Sequence, residues 1–319
     1  MTLARLGDGH QRVIMFGGKG GVGKTTFSAA TALHYAIAGR RTLIISSDLA
    51  PSLSDIFETE IGPTEQPVRG VKNLWGLEIS REEVMRRWKE KFGPEVYAAA
   101  TSLVDLGYDE VVDYVSLAPG IQEEFMLDYI LERVRDGRHE MIVWDTAPAG
   151  DTLRLLELPH RLFSHLKLAP RIYLQVRDNL KLDKVPFGEI IERWGKLSGE
   201  ITNWFRNPEN VVFVLVTIPE ALGVYQSQRL VGQFAHYGLN IRHMIINQVV
   251  LEADCEFHRQ RQAMQAPYLD LLTNEFAGRM GLVRVPARPW EVKGVARLRE
   301  IEQILFDSDA DPGSLPGST

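Results

Sequence analysis

The chain of 319 residues has a single cysteine, Cys255. One thiol excludes an intrachain disulfide and predicts residence in a reducing cytoplasm. Positive charge is also in deficit. Lys and Arg number 36 against 42 Asp and Glu, for a net charge of −6 and a pI near 5.8. That balance offers no basic field for nucleic acid or an anionic membrane. No apolar run reaches the roughly 18 residues of a membrane span. The first dozen residues lack the apolar core of a signal peptide, and no internal repeat recurs at a fixed period. These absences predict a soluble cytoplasmic protein with no nucleic-acid partner.

What is present is concentrated near the start. Gly18-Lys19-Gly20-Gly21-Val22-Gly23-Lys24-Thr25-Thr26 contains the frame Gly-xxxx-Gly-Lys-Thr. Its glycines let backbone N–H groups turn inward around phosphate oxygens. Lys24 is placed to reach the terminal phosphates, and the Thr25 hydroxyl to ligate Mg²⁺. A helix opening at Lys24 adds its positive N-terminal dipole at the same point. Arg12–Phe16 reads as a buried strand before the loop, and Thr26–Ala36 as a helix after it. Strand, glycine loop and helix therefore stand in the order that binds a nucleoside triphosphate.

Short β-branched runs recur between helical patterns at Arg41–Ser47, Met141–Asp145, Asn210–Thr217, Ile241–Asn247 and Leu282–Val285. Strands apolar on both faces, separated by helices, predict an α/β fold with a doubly wound, mostly parallel sheet. Residues 1–306 are expected to form one domain with helical insertions at about 81–137 and 160–207. The first insertion is expected to break near Gly93-Pro94, Gly107 and Pro119-Gly120. The second carries Phe187, Ile190, Ile191, Trp194, Leu197, Ile201, Trp204 and Phe205 on one helical stripe. That stripe either packs on the body of the protein or forms a face for a client. Thr217 and Glu220, with Pro219 between them, predict a capping box. Residues 307–319 are polar, rich in Gly, Pro and Ser, and read as a disordered tail.

Two aspartates end strands. Asp48 follows Thr42–Ile45, where a carboxylate can orient the attacking water. Asp145 ends Met141–Trp144, where a carboxylate holds Mg²⁺. The Pro148-Ala149-Gly150 stretch after it suits a switch loop.

The second lysine of the loop, Lys19, with these patterns, resembles the deviant P-loop ATPases. It is closest to the arsenite-pump and tail-anchored-protein targeting branch. That branch carries Asp-Pro-Ala-His-Asn/Ser-Leu-Ser-Asp and Asp-Thr-Ala-Pro-Thr-Gly-His-Thr-Leu-Arg at its two switches. This chain is similar at Asp48–Asp55 and Asp145–Arg154, and departs at Leu49, Pro51, Ala149 and Asp151, so both family histidines are absent. The resemblance continues through Pro119–Glu123, Thr217–Leu230, Ile246-Asn247-Gln248 and Val285–Val292. It implies an ATPase using ATP and Mg²⁺, with the P-loop NTPase fold and an inserted α-helical subdomain. Lys19 would cross a homodimer interface to the partner's nucleotide, Lys24 would hold phosphates and Asp48 would align water. Asn247, Pro286 and Ala287 would contact the base.

The resemblance further implies an ATP-driven switch that captures and releases a client. Clustered cysteines capture arsenite in the pump branch, and one cysteine cannot supply the cluster. The targeting branch uses a methionine-rich groove for membrane-protein segments, and this chain has eight scattered methionines. A protein client is slightly favoured over an anion, and a membrane transporter is a further partner the family suggests. A positional ATPase of the MinD/ParA type and a non-hydrolysing nucleotide-binding adaptor are the alternatives. Finally, Cys255 and His258 stand where the targeting branch has a zinc-binding Cys-x-x-Cys. Two chains would together make a Cys₂His₂ zinc site; a buried thiol beside a surface histidine is the preferred reading.

Overall fold

Runs such as Val211–Thr217, with every residue buried, bury both faces of a strand and have to lie in the middle of a layered structure. In the computed structural model they do. It describes residues 2, 3, 6, 11–47, 52–100, 107–116, 121–146, 187–239 and 241–307. The strands are β1 (Val13–Gly18), β2 (Thr42–Ser46), β3 (Gln66–Pro67), β4 (Leu74–Glu78), β5 (Met141–Asp145), β6 (Val211–Thr217), β7 (Ile241–Val249) and β8 (Gly281–Pro286). They form one sheet in the order β3-β4-β2-β5-β1-β6-β7-β8. Every pairing is parallel except that of β3 with β4. The chain is thus α/β with a mostly parallel sheet, as the strand runs predict.

The helices are α1 (Lys24–Ile37), α2 (Leu53–Phe57), α3 (Arg81–Ala100), α4 (Tyr108–Ser116), α5 (Ile121–Asp136), α6 (Phe187–Arg206), α7 (Ala221–His236), α8 (Glu256–Phe276) and α9 (Gly294–Phe306). Helix α1 is buried nearly all round, and its alanines Ala29, Ala30, Ala32 and Ala36 let it lie close between the sheet and α9. The core on this side includes Phe16, Phe27, Leu33, Ile44, Leu298 and Leu305. A wall of that kind fixes the start of α1, and with it the glycine loop, against the sheet.

The chain divides into two compact units: Met1–Ile79, Asp136–Thr152 and Arg206–Thr319 make one, and Ser80–Arg135 with Leu153–Phe205 the other. The first holds the whole sheet. The second is helical among its described residues. In it, Trp88, Phe92, Phe125, Trp194, Leu197 and Ile201 line an apolar cleft, so this part of the tryptophan stripe packs on α3 and α5. Lys91 Nζ meets the carboxylates of Asp128 and, at 2.6 Å, Glu132. Burial pushes the Asp128 carboxyl up, and Lys91 only partly offsets it.

Three local expectations are corrected. Helix α3 runs through Gly93-Pro94 without a break. Pro94 forfeits one helical hydrogen bond, but Trp88 and Val96, both buried, anchor the two halves. A β-carbon on Gly93 would displace the Tyr108 hydroxyl, the outer end of an exposed side chain. The capping box does not form, since Thr217 is still in β6 and Glu220 is itself the N-cap, with no side-chain cap bond. Its carboxylate accepts instead from Arg261 Nη2 at 2.7 Å. Strands β3 and β4 are absent from the sequence reading: β4 is Leu-Trp-Gly-Leu-Glu, without a β-branched residue. Gly76 is needed because a β-carbon there would lie 2.7 Å from Ile61 Cδ1.

Candidate nucleotide-binding site

The carboxyl ends of β2, β5, β1, β6, β7 and β8 lie side by side in that order, the usual place for a ligand in an open α/β sheet. At the end of β1 two glycines are compulsory. A β-carbon on Gly18 would run into the Val216 carbonyl, and on Gly23, at φ 102°, it would lie 2.7 Å from Asn247 Nδ2. Gly20 and Gly21 open instead onto free space. The loop is therefore pinned at its ends and unobstructed in its middle, a cradle suited to phosphate oxygens.

Lys24, the first residue of α1, is buried and its Nζ lies 3.4 Å from the Lys19 carbonyl. Thr25 Oγ1 donates to Asp145 Oδ2 at 2.7 Å, and Ser46 Oγ lies 3.4 Å from the same oxygen. Asp145 is fully buried and stands in register with Phe16 of β1 and Ser46 of β2. Thr146 Oγ1 donates to the Phe16 carbonyl at 2.7 Å, tying β5 to the start of the loop. A hydroxyl and a carboxylate that meet beside a phosphate cradle are the hard oxygen donors that Mg²⁺ takes. Lys19 is half-buried, and its ammonium makes no hydrogen bond or ion pair among the described residues.

The residues expected to border the base are assembled differently. Asn247 Nδ2 donates to the Val22 carbonyl at 2.9 Å, so β7 is bonded directly to the glycine loop. Asn247 Oδ1 accepts from Gln248 N at 2.8 Å. Gln248 sits at φ 58°, a left-handed conformation that costs a non-glycine residue about 1 kcal/mol or more. It marks a register shift against β8 between Ile246 and Val249. Beyond the shift, Pro286 pairs with Val249 and Ala287 N donates to the Val249 carbonyl at 2.9 Å. Asn247, Pro286 and Ala287 are thereby brought to one edge of the same site as the glycine loop.

Sequence reasoning missed two side chains that shape this site. Gln265 of α8 is buried; its Oε1 accepts from Val250 N at 2.9 Å and its Nε2 donates to the Gln248 carbonyl at 2.8 Å. It clasps the strained turn from both sides. Glu78, at the end of β4, accepts from Ser52 N at 2.7 Å, Leu53 N at 2.6 Å and the Ser54 hydroxyl at 2.9 Å. It thereby holds the start of α2, the element that follows Asp48. Neither residue belongs to a contiguous motif, and both act on backbone far away in sequence. Asp48 itself and the Pro148-Ala149-Gly150 stretch lie outside the described residues.

Elsewhere in the same unit, Asp254, Cys255 and His258 bring ligand atoms within 4.8 Å of one another. Cys255 is exposed, which overturns the reading of a buried thiol. It is the N-cap of α8, projecting from the loop after β7. The hydrogen bond from His258 holds the Asp254 carboxyl low. One exposed trio does not by itself complete a tetrahedral zinc site.

No helix among the described residues is long and apolar enough to cross a membrane. A family model described as anion-transporting ATPase matches residues 11–307. ATPase GET3 of Podospora anserina is 31% identical over 94% of this chain and 92% of its own length. An ATPase ASNA1 homolog of Trypanosoma cruzi is 30% identical over 97% of this chain and 95% of its own. In Paramecium tetraurelia, ATPase ASNA1 homolog 1 is 29% identical over 94% and 93%. With a glycine loop, a buried strand-end aspartate and an asparagine bonded to the loop brought together at the carboxyl end of the sheet, and with this match over nearly its whole length, the chain belongs to the anion-transporting ATPase family and is an ATPase.

Proposed function

We propose that the protein is a homodimeric, Mg²⁺-dependent ATPase switch that captures a membrane-protein segment in one nucleotide state and releases it in another. The observation that carries the nucleotide part is the Thr25–Asp145 contact beside the pinned glycine loop. When bound, Mg²⁺ neutralises charge on the phosphate oxygens; Thr25 and Asp145 are the residues that would hold it. Lys24 holds the terminal phosphates, Gly18 to Thr26 supply backbone donors, and Asp48 aligns the water. Asn247, Pro286 and Ala287 border the base.

The homodimer rests on Lys19 and on surface chemistry. A half-buried ammonium with no partner among the described residues suits a role on a second chain's nucleotide, as an arginine finger acts in trans. Leu222, Tyr225, Leu251 and Phe257 are exposed around the ends of β6 and β7, where apolar surface calls for cover. A protein client is favoured over an anion because one cysteine cannot make a thiolate cluster. The relatives named GET3 point the same way, toward the tail-anchored-protein targeting branch. In the helical unit, the cleft lined by Trp88, Phe92, Phe125 and Trp194 offers the apolar surface that such a segment needs, in aromatic rather than methionine form. A cytoplasmic location fits this role. The Cys255–His258 pair, doubled across a dimer, remains the place where zinc would bind.

The test is to translate a protein with one carboxyl-terminal membrane segment in the presence of the purified chain. A soluble complex that forms with wild type and ATP, and not with Lys24→Ala, supports the reading. Arsenite-stimulated turnover with no client complex would move the protein to anion transport.

A further inference from the structure

Helix α2 is too short to support its own start. The first N–H groups of any helix have no intrahelical partner, and in Leu53–Phe57 they make up nearly the whole element. The N-cap, Ser52, makes no side-chain cap bond, and its hydroxyl is buried without a partner. Glu78 does the capping from the end of β4. Its Oε1 accepts from Ser52 N at 2.7 Å, Leu53 N at 2.6 Å and Ser54 N at 3.4 Å, and its Oε2 from the Ser54 hydroxyl at 2.9 Å. Among the described residues no cation pairs with this carboxylate. Buried Leu53, Ile56 and Phe57 fasten the rest of α2 to the core.

The place of Glu78 in the sheet gives this grip a second meaning. Glu78 of β4 and Asp145 of β5 both stand in register with Ser46 of β2, the strand between them. The two residues are therefore at one level of the sheet, about 10 Å apart by strand spacing. Ser47, next after β2, is held on the Asp145 side. Its N donates to the Asp145 carbonyl at 3.2 Å, and its hydroxyl accepts from Trp144 Nε1 at 3.0 Å. The link 48–51 thus joins two fastened ends, one bonded to β5 and the other to Glu78. Asp48, which aligns water in the function proposed above, opens that link, and the inference rests on that reading.

We propose that Glu78 is a positioning residue for ATP hydrolysis. By fixing where the chain resumes at Ser52, it sets the place of Asp48, so the rate of hydrolysis depends on Glu78 and the affinity for nucleotide does not. The role calls for reach more than for charge. Glutamine keeps the reach and an acceptor oxygen for Ser52 N and Leu53 N. Aspartate keeps the charge and withdraws the oxygens by about 1.5 Å, one C–C bond, out of hydrogen-bond range of the helix start.

The experiment is single-turnover ATP hydrolysis by the full chain, with calorimetric titration of ADP and Mg²⁺, for wild type, Glu78→Gln and Glu78→Asp, each alone and combined with Asp48→Asn. Circular dichroism checks that each variant is folded. Glu78→Asp is expected to lower the rate by about 10²-fold, the cost of an ångström-scale misplacement, and to change ADP affinity by less than about threefold. Glu78→Gln should stay within about tenfold of the wild-type rate, since its hydrogen bonds are weaker but still made. In the Asp48→Asn background, Glu78→Asp should cost less than about threefold more, because a residue that acts through Asp48 has nothing left to position. An undiminished rate in Glu78→Asp would overturn the proposal. So would an equal loss of rate and ADP affinity, a Glu78→Gln slower than Glu78→Asp, or losses that multiply in the double variant, as those of a merely structural residue do. Asp48→Asn at the wild-type rate would instead remove the role assigned to Asp48, and this inference with it.

Discussion

The two ends of the nucleotide site are built by opposite means. At the phosphate end, nine consecutive residues, Gly18 to Thr26, do most of the work, and Thr25 reaches out to Asp145, which Ser46 also approaches. At the base end no such run exists. Asn247, Gln248, Gln265 and Ala287 come from one strand, a helix and a loop, and converge through hydrogen bonds around one strained residue. The phosphate end is set by local chemistry. The base end is set by tertiary packing, and its geometry is only as firm as the clasp around Gln248.

That contrast predicts different kinetic losses. Lys24→Ala and Asp145→Asn should each lower the maximal rate of ATP hydrolysis by about 10³ or more, because they remove charge stabilisation where the phosphoryl group transfers. Single-turnover kinetics with radiolabelled ATP would show it. A rise in KM with an unchanged maximal rate would erase the distinction between the ends.

Removing the clasp comes next in size. Gln265→Ala leaves Val250 N and the Gln248 carbonyl without their partner, which should cost about 2–4 kcal/mol of folding stability. Urea unfolding would measure that cost. The same variant should raise KM for ATP more than it lowers the maximal rate, since what it frees is the backbone beside Asn247. A stable variant with unaltered KM would mean that the turn needs no clasp.

Asn247→Ala should raise KM by roughly tenfold with the maximal rate held within about threefold, the signature of lost uniform binding. It sharpens the comparison because Asn247 bonds from β7 to the glycine loop. If its maximal rate collapses instead, the two ends are a single catalytic unit.

The smallest effect concerns pH. Burial, assisted by the Arg242 charge, pushes the His243 imidazole below its ordinary value of 6.5. The folded state then binds fewer protons than the unfolded one. His243 therefore adds no penalty above pH 6.5, and stability falls as the pH drops below that value toward the lowered one. The loss should be about 1 kcal/mol per unit of depression. Between pH 8 and 5 the melting temperature of wild type should fall further than that of His243→Gln. Parallel curves would show that His243 plays no part.

Sequence legibility followed the same division. The β1, β2, β5 and β6 runs were readable because β-branched residues buried on both faces leave little choice but a central strand. Lys24, Thr25 and Asp145 were readable because a motif and a strand end place them. The reading stopped where packing overrides local preference. Gly76 in β4 and Pro94 in α3 look like breakers, and each is accommodated by a neighbour that sequence alone does not bring near. Gln265 and Glu78 are ordinary polar residues until the fold buries one and aims the other at a helix start. The exposed Cys255 shows the reverse error, since cysteine is most often buried and a helix N-cap on a strand-end loop is not.

Lys19 carries the account's central claim, that one chain completes another's site. The direct measurement is ATP turnover per chain against protein concentration, for wild type and Lys19→Ala, with mass followed by light scattering in ATP and in ADP. The account predicts that wild-type turnover rises as dimers form in ATP, and that Lys19→Ala loses about 10³ in rate while its dimers still form. Concentration-independent turnover by a monomer, undiminished in Lys19→Ala, would contradict it.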